Sequence, residues 1–490
     1  GTGSGKTEFA LYWIGSEKAF YTLPMRTSVN AMYERVKETY DSQDIGLLHS
    51  DSAFYALSTD MQGMNSDDGV TDALYRIDIS KQLSMPISVS TADQIFTTAF
   101  KYEGFEKILA TLCYSKLVVD EIQSYDPDIV AAILHTLVNV TKMGCKFCMI
   151  TATLPKIYLD YLQEKIGDIR NLPPRFKTTA RHRIKLLSRS IEDPETIDLI
   201  IALRNRHKGV LVIANTVRMA KKVKGLLSER QVPASLLHSM FTYEDRTFKE
   251  QDEKLGILKN QKGIWITTQI AEVSLNLDFD VMVTEISAID SQIQRWGRVW
   301  RIREQEYTNQ EPNIYITSSP SDNGHIYDKD LVELTEKQLC QYCSLTLSDK
   351  KEFDIVQDIF GDPALAESKY KSKFDTSIRM LEEYNFSVET KGEAQRLFRR
   401  ISNVGVIPRE VYDQNQKEID EAIVGLDSRG VSRLRSLYTI RKKSVTIPYF
   451  YFKDVQCWSL DSKYRILVAD MKYSFETGVE LAPVSSAMFI

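Results

Sequence analysis

Short apolar runs alternate with helical stretches along the first two thirds of the chain. The runs are apolar at consecutive positions, which is typical of strands buried on both faces of a parallel sheet. Strands that alternate with helices in this way predict an α/β fold. The clearest predicted strands span residues 19–23, 116–120, 146–151, 210–215, 264–268, 281–286 and 313–317.

Two breaks in composition divide the chain into three predicted domains. Residues 171–183 contain two prolines and several basic residues, and residues 318–324 are mainly polar. Beyond the second break the chain is helical at first and then rich in Tyr and Phe, with short strand-like pieces. The predicted domains are a first α/β domain at 1–175, a second α/β domain at 176–320 and an accessory C-terminal α+β domain at 321–490.

Composition adds little to this picture. The 490 residues are 43% hydrophobic and 26% charged, with a formal net charge of -5, as in a globular protein with more than one core. This mild acidity neither predicts nor excludes a nucleic-acid partner, since such partners respond to local basic patches. The six cysteines do not form a secreted disulfide framework, and the two CxxC pairs lie too far apart to favour zinc. No run approaches the about 20 apolar residues that span a bilayer, and no signal-peptide pattern opens the chain, so we expect a cytoplasmic protein without a membrane partner.

The chain opens with GTGSGKT, which matches the last seven positions of the phosphate-binding loop GxxxxGK followed by Ser or Thr. Glycines let the backbone curl so that its N–H groups point at phosphate oxygens. Lys6 would reach the β- and γ-phosphates of ATP, Thr7 would ligate Mg²⁺, and the helix that follows would add its dipole. The predicted ATP-binding residues here are Gly3, Ser4, Gly5, Lys6, Thr7 and Glu8.

A second candidate site follows the predicted strand 116–120, where Asp120 and Glu121 stand side by side. An acidic pair after a strand is, taken alone, more often a solvated strand end. The phosphate loop upstream favours a catalytic interpretation, in which Asp120 holds Mg²⁺ together with Thr7. Glu121 would then polarise the attacking water.

The segment QRWGRVWR, residues 294–301, is the third candidate. Arg298 and Arg301 are three residues apart on what the spacing predicts to be one helix face, and arginines from a second domain can stabilise a γ-phosphate. The alternative is a basic helix that only faces solvent. Gln294 and Gly297 favour the functional interpretation over this alternative. ATP would then lie in a cleft between the two α/β domains. The predicted catalytic residues are Lys6, Asp120, Glu121, Gln294, Arg298 and Arg301.

The order of these motifs resembles that of superfamily-two helicases. The segments are GSGKT, LPMRTSVNAMYER, STADQ, DEIQSYD, TATLP, LLHSMFTYEDR, TTQIAEVSLNLDFD and QRWGRVWR, over about the first 300 residues. Their wording is similar to that of the CRISPR-associated signature helicase, the motor of type I interference. The resemblance implies two tandem RecA-like P-loop domains with parallel sheets, and ATP-driven unwinding or translocation on single-stranded DNA. It also implies recruitment to an RNA-guided CRISPR surveillance complex, and we expect a monomer.

The same resemblance implies roles for further residues. Residues 151–153 would couple the nucleotide site to strand movement, and His238 could approach the nucleotide or the strand, whereas His49 is expected to be structural. The implied strand contacts would be mainly to backbone phosphates, which makes binding salt-dependent and nearly blind to sequence. The implied strand-binding residues are Arg26, Thr27, Thr91, Asp93, Asn215, Thr216 and Thr268.

The chain departs from the family pattern in three places. Asn276, which we assign to the nucleotide site, replaces an aspartate and so keeps an acceptor but loses a charge that would help coupling to ATP. Gln123 replaces a histidine. The His-Asp dipeptide of the family's nuclease domain does not occur, since none of the six histidines precedes Asp. Because the chain starts inside a motif and without Met, we expect a fragment, with the nuclease domain upstream or on a separate polypeptide.

Three questions stay open at this point. The chain could be a general superfamily-two helicase on RNA or DNA, or a nucleic-acid-binding module with a degenerate ATPase, for which Asn276 is the one sequence argument. A basic run near Tyr438 could guide a strand, dock on a partner or form a solvated face. Its residues are Arg396, Arg399, Arg400, Arg433, Arg435, Arg441, Lys442 and Lys443.

Overall fold

The computed structural model describes residues 5–480 with internal gaps. The gaps are residues 43, 53, 56–74, 152–153, 168, 177–178, 253–254, 273–276, 302–305, 344, 384–386, 400–402 and 449–454. Several predicted positions therefore lie outside the described residues. These are Gly3, Ser4, Asn276, Arg400 and residues 152–153 of the coupling segment.

The first sheet has five parallel strands in the order β2-β3-β1-β4-β5. The strands are β1 Ala19–Leu23, β2 Ile45–Leu48, β3 Ile87–Thr91, β4 Lys116–Asp120 and β5 Lys146–Ile150. The helices of this part are Lys6–Ile14, Arg26–Tyr40, Glu106–Cys113, Pro127–Lys142 and Lys156–Ile166. Because β1 and β4 are adjacent and parallel, residues that follow their carboxyl ends meet at one edge of the sheet.

The second sheet has seven strands in the order β12-β6-β11-β10-β7-β9-β8. The strands are β6 Ala180–Ser190, β7 Gly209–Ile213, β8 Ala234–Leu237, β9 Gly263–Thr267, β10 Val281–Glu285, β11 Ile314–Ser319 and β12 Thr346–Ser348. The helices are Pro194–Arg206, Val217–Glu229, Tyr243–Gln251 and Ile289–Trp296. All pairings are parallel except that of β12 with β6, so a strand from beyond residue 320 completes this sheet as an antiparallel edge.

All seven predicted strands are confirmed, with ends within two residues of the predicted ones. Strand β6 was not predicted, and it begins at Ala180, inside the segment 171–183 that we interpreted as a break. The polar residues of β6 concealed the strand, because the acidic side chains that pair with them lie far along the chain. Arg181 pairs with Asp349 at 2.6 Å, and His182 pairs with Glu352.

The C-terminal region combines helices with a small mixed sheet. The helices are Lys329–Leu339, Asp349–Phe360, Pro363–Ala366, Lys369–Glu383, Lys391–Arg399, Arg409–Gln414, Gln416–Gly425 and Val431–Lys442. The sheet has the order β14-β13-β16-β15 and is followed by the hairpin β17-β18. The strands are β13 Asn403–Pro408, β14 Val445–Pro448, β15 Cys457–Asp461, β16 Ile466–Ala469, β17 Tyr473–Ser474 and β18 Gly478–Val479. This arrangement is α+β, as predicted.

The C-terminal region packs against the first α/β domain rather than standing apart. Helix Lys369–Glu383 lies on helix Pro127–Lys142, and both contribute to one large apolar core. The phenol of Tyr161 donates to Glu382 at 2.9 Å at the same junction. Among the described residues, no helix combines the length and apolar character needed to cross a membrane.

Candidate nucleotide site

The first helix begins where the phosphate loop ends. Gly5 has φ 78° and ψ 17°, a left-handed conformation that glycine adopts without strain, and helix Lys6–Ile14 starts immediately after it. The N–H groups of a first helical turn have no acceptor inside their own helix, and the helix dipole favours an anion there. The described end of the loop therefore leads directly into an anion-binding helix end whose first side chain is Lys6.

Lys6 and Glu121 form an ion pair at the carboxyl edge of the first sheet. Nζ of Lys6 donates to Oε1 of Glu121 at 3.2 Å, and the two side chains are 23% and 26% exposed. The N–H of Glu121 donates to the carbonyl of Ile150 at 2.8 Å, which continues the pairing of β4 with β5, and its φ of 53° then ends the strand geometry. This left-handed conformation costs a non-glycine residue about 1–3 kcal/mol and is concentrated at functional sites.

The charges around Glu121 keep its carboxylate ionised. Burial raises the pKa of Glu121, but the Lys6 ammonium, the amide of Gln123 and the guanidinium of Arg298 outweigh burial and lower the pKa below its usual value. Gln123 also accepts a hydrogen bond from the hydroxyl of Thr151. Gln123, which stands where the family pattern has a histidine, thus connects Glu121 to Thr151, the first residue of the coupling segment.

Asp120 is held differently from its neighbour. It is buried, and its Oδ2 accepts a 2.7 Å hydrogen bond from the phenol of Tyr21 on β1, which the hydroxyl of Thr7 also reaches. Burial and the charge of Glu121 raise the pKa of Asp120 to about 7. Its Oδ1 has no hydrogen-bond partner among the described residues. The two predicted Mg²⁺ ligands, Thr7 and Asp120, therefore meet at one phenol that the sequence analysis missed.

The second α/β domain contacts this edge through helix Ile289–Trp296. Nε2 of Gln294, on that helix, donates to Oγ of Ser124 at 3.0 Å. Ser124 lies three residues after Glu121, at the end of a single 3-10 turn. The structure thus brings the predicted residue Gln294 to the DEIQS segment across the boundary between the two domains.

Arg298 supplies a buried positive charge from the second domain. Its Nε donates to the carbonyl of Ala271 at 2.8 Å, and its charge is among those that lower the pKa of Glu121. Burial and the nearby charge of Arg301 lower the pKa of Arg298 to about 9. Lys6 from one domain and Arg298 from the other therefore act on one carboxylate.

The prediction that Arg298 and Arg301 share one helix face is wrong. Helix Ile289–Trp296 ends before both of them, and Val299 then forms a parallel bridge with Phe279. Helical spacing cannot reveal this bridge, because its partner lies 20 residues earlier in the chain. Arg301 is half-buried, and burial lowers its pKa as well.

Arg295, which the sequence analysis did not single out, is fully buried at the centre of a polar network. Its carboxylate partner is Glu272, whose backbone carbonyl accepts from Arg298 at 2.5 Å. Arg295 therefore holds Glu272, whose backbone carbonyl accepts the hydrogen bond from Arg298. Its guanidinium donates, at 2.8–2.9 Å, to Glu272 Oε1, Thr284 Oγ1, the carbonyl of Glu285, Asn215 Oδ1 and the phenol of Tyr327.

Asn215 belongs to this network, and its role as a contact of the DNA strand stays a prediction. The residue is fully buried, and its Nδ2 donates to the carbonyl of Ile286 and to Asp322, each at 2.8 Å. A phosphate could reach the side chain only if these bonds broke. Thr216 is half-buried and caps helix Val217–Glu229 by accepting from Met219 N–H at 3.1 Å. Thr268 is buried.

The residues of the first domain that are predicted to contact the DNA strand fall into two groups. Arg26 and Thr27 open helix Arg26–Tyr40, and the side chain of Arg26 is 40% exposed. Thr91 and Asp93, in contrast, are buried, and their role as contacts of the DNA strand stays a prediction. Asp93 accepts hydrogen bonds from Gln94 at 2.8 Å and from Gln395 of the C-terminal region at 3.4 Å.

Glu8 and His238 each make contacts that the sequence did not predict. Glu8 is exposed, and its Oε1 pairs with Arg35 while its Oε2 lies 3.9 Å from the position that a Cβ atom of Gly5 would take, so its place in the nucleotide site stays a prediction. His238 is buried, its Nε2 donates to the carbonyl of Thr477 at 3.1 Å, and its Nδ1 accepts from the N–H of Met240 at 3.1 Å. Its bond to Thr477 ties the residues after β8 to the β17-β18 hairpin.

The described residues contain no group of three or more His, Cys, Asp or Glu side chains that could hold a metal ion by itself. Cys145 is buried, and burial raises the pKa of its thiol to about 12. Cys148 lies on β5, and burial raises the pKa of its thiol to about 11. Both thiols are therefore protonated at neutral pH and are poor metal ligands.

Comparisons with known proteins agree with this geometry. A family model for the DEAD/DEAH box helicase matches residues 1–160, and one for the C-terminal part of the CRISPR-associated nuclease/helicase Cas3 matches residues 206–304. The CRISPR-associated nuclease/helicase Cas3 of Methanothermobacter thermautotrophicus is 30% identical over 94% of this chain. The chain spans 59% of the length of that relative.

Solved structures show the same fold. The crystal structure of T. fusca Cas3-ATP superposes with a TM-score of 0.74 at 17% identity, covering 99% of this chain and 66% of that one. A chain from the structure "CRISPR RNA-guided surveillance complex, pre-nicking" superposes with a TM-score of 0.62 at 16% identity, covering 98% of this chain and 65% of that one. The predicted fold, with two RecA-like α/β domains and a C-terminal domain, is confirmed. Over nearly its whole length the chain is similar to the helicase part of CRISPR-associated nuclease/helicases Cas3, and these matches together support a Cas3 helicase.

Proposed function

We propose that this chain is the motor of type I CRISPR interference, which hydrolyses ATP between its two α/β domains to move along single-stranded DNA. The observation that carries the proposal is the meeting of the two domains at Glu121, where Lys6 pairs with Glu121 at 3.2 Å and Gln294 of the second domain donates to Ser124 at 3.0 Å, with the charge of Arg298 helping to lower the pKa of Glu121. Phosphoryl transfer depends on positioning and on charge stabilisation, which such a closed constellation supplies.

In the proposed site, the phosphates of ATP lie at the N-terminus of helix Lys6–Ile14, and Lys6 leaves Glu121 to contact them. Once Lys6 has left, the largest charge that lowers the pKa of Glu121 is gone, so this pKa rises and the carboxylate becomes a better base for water. Arg298 and Arg301 would stabilise the charge that develops on the transferred phosphoryl group.

The residues at Asp120 fit a magnesium ion. Oδ1 of Asp120 is buried without a hydrogen-bond partner among the described residues, while Tyr21 fixes Oδ2 and orients the carboxylate. Thr7 and Asp120 would hold the ion, in keeping with the preference of Mg²⁺ for oxygen ligands. When bound, Mg²⁺ would neutralise phosphate charge.

We further propose that the DNA strand passes Arg26, Thr27 and Thr216. Arg26 supports this because its partly exposed guanidinium stands at the start of a helix of the first domain. Contacts of this type go to phosphates and give salt-dependent binding. The likeness to a chain of an RNA-guided surveillance complex supports recruitment to such a complex.

The test is ATP hydrolysis by this chain with no polymer, with single-stranded DNA and with single-stranded RNA. We expect DNA to stimulate hydrolysis and Glu121→Gln to abolish it, since the amide can neither accept the proton nor carry the charge. Glu106→Gln, at an exposed residue on another helix, is the matched control and should behave as the unchanged chain. Stimulation by RNA alone would favour a general helicase, and no hydrolysis under any condition would contradict the proposal.

A further inference from the structure

Asp51 joins the first α/β domain to the accessory region. Its Oδ2 accepts a hydrogen bond from Nη1 of Arg26 and another, at 3.3 Å, from Nη2 of Arg441. Arg26 belongs to the first domain, whereas Arg441 lies in the last turn of helix Val431–Lys442. One carboxylate oxygen therefore collects two guanidinium groups from parts of the chain 415 residues apart.

The cluster combines two cationic side chains with one anionic side chain. Burial raises the pKa of Asp51, but Arg26 and Arg441 outweigh it, so the pKa is lowered and the carboxylate stays ionised near neutral pH. Asp51 therefore holds two guanidinium groups close together on one oxygen. The three side chains are also accessible: Arg26 is 40% exposed, Asp51 19% and Arg441 25%.

A second contact places the accessory region over the same face of the first domain. Gln395, in helix Lys391–Arg399, donates to Oδ2 of Asp93 at 3.4 Å, and Phe398 of that helix packs edge-on against Phe100 with ring centroids 6.4 Å apart. Two separate helices of the accessory region thus lie against two segments of the first domain that are predicted to contact the DNA strand. A strand bound along these segments would pass between the first domain and the accessory region.

The neighbouring basic residues of the same helix are occupied differently. Lys442 and Lys443 pair with Glu244 of the second domain at 3.0 and 2.8 Å. Arg433 packs over the ring of Tyr464 at 5.3 Å from its centroid. Arg441, in contrast, shares its acid partner with Arg26, a predicted contact of the DNA strand.

We propose that Arg441 is a DNA-binding residue that joins Arg26 on one backbone phosphate, with Asp51 holding the two guanidinium groups together until the phosphate replaces it. This inference rests on the proposed function, because it requires a strand at Arg26. A backbone phosphate carries the same single charge as the carboxylate but presents two non-bridging oxygens, so each arginine can donate to an oxygen of its own instead of sharing Oδ2 of Asp51. Asp51 is then a positioning residue that also competes with the strand.

The experiment measures binding of fluorescent single-stranded DNA to the full chain over a series of salt concentrations. Arg441→Ala should weaken binding about fivefold at low salt and reduce the slope of log affinity against log salt by about 0.7, the value of one phosphate contact on a single strand. Arg433→Ala, on the same helix, is the matched control and should leave the slope unchanged.

The variant Asp51→Asn tests whether Asp51 competes with the DNA phosphate for the two arginines or only supports the structure around them. It should tighten binding in the presence of Arg441 and do so less in the Arg441→Ala background, where it releases Arg26 alone. Arg441→Lys should retain the salt slope because the charge remains, which guards against a loss of folding. An unchanged slope in Arg441→Ala, or weaker binding in Asp51→Asn, would overturn the inference, whereas a chain that binds no DNA at all would overturn the proposed function instead.

Discussion

At the scale of single residues, the network around Arg295 is where the structure adds most to the sequence. Arg295 and Glu272 are both buried, so Arg295→Met would leave the Glu272 carboxylate without its guanidinium partner. We expect a loss of about 3–5 kcal/mol in the free energy of unfolding, measured by urea titration. The double variant Arg295→Met with Glu272→Met should recover part of this loss, because no unpaired charge then stays buried. Equal stability of the single variant Arg295→Met and the double variant would contradict this account.

His238 gives the chain a dependence on pH. Burial, helped by nearby Lys221, lowers the pKa of His238 to about 3, while an unfolded histidine titrates near about 6.5. Between these values the unfolded chain binds a proton that the folded chain does not, so stability falls as pH falls through this window. From about pH 7.5 to about pH 5 the loss from this residue should approach ~2 kcal/mol. His238→Gln should remove that part of the slope in urea titrations, and His325→Gln, at an exposed residue, should not.

Residues of the site were predictable where a motif stands next to a strand end, and not where the partner is remote. Lys6, Glu121 and Arg298 each lie in a recognisable motif, and the structure brings them together. Tyr21 and Arg295 were missed because a buried phenol or guanidinium has meaning only through its contacts. Those contacts lie 99 residues away for Tyr21 and up to 80 residues away for Arg295.

At the scale of elements, continuous apolar runs predicted the buried central strands well, since burial on both faces leaves a signal that is independent of the partners. Strand β6 escaped because its polar residues are buried against Asp349 and Glu352. The hairpin β17-β18 escaped too, because its two-residue strands carry no periodicity. Its position depends on contacts with the second domain, and these contacts make it testable.

Gly478 decides whether this hairpin can dock. It has φ 66°, and a Cβ atom there would lie 2.4 Å from the carbonyl oxygen of Met240 and 2.9 Å from Cε1 of His238. Gly478→Ala should therefore release the hairpin and increase hydrogen exchange of its amides. Gly430→Ala is the matched control, because Gly430 has φ 62° but open space around it, so it carries the backbone strain without the clash. Equal effects of the two variants on the hairpin would show that the close contact does not hold it.

At the scale of the whole molecule, the second sheet needs residues beyond 320. Strand β12, Asp349 and Glu352 all lie beyond that point, and they cover β6 and neutralise Arg181 and His182. A chain that ends at residue 320 should therefore aggregate or unfold at lower urea concentration than one that ends at residue 361, which retains helix Asp349–Phe360. Circular dichroism and light scattering would compare them. Equal stability would indicate that the second domain is complete without β12.

The contact between the two α/β domains makes the last prediction. Gln294 and Ser124 form a 3.0 Å hydrogen bond across the domain boundary, close to Glu121. If this bond helps to close the cleft around ATP, Ser124→Ala and Gln294→Ala should each raise KM for ATP in DNA-stimulated hydrolysis. Because both remove the same bond, the double variant should be little worse than either single one. The coupling energy should be about 0.5–1.5 kcal/mol, as for one neutral hydrogen bond. Strictly additive effects would mean that the two side chains act separately, and the cleft would then be closed by Lys6, Glu121 and Arg298 alone.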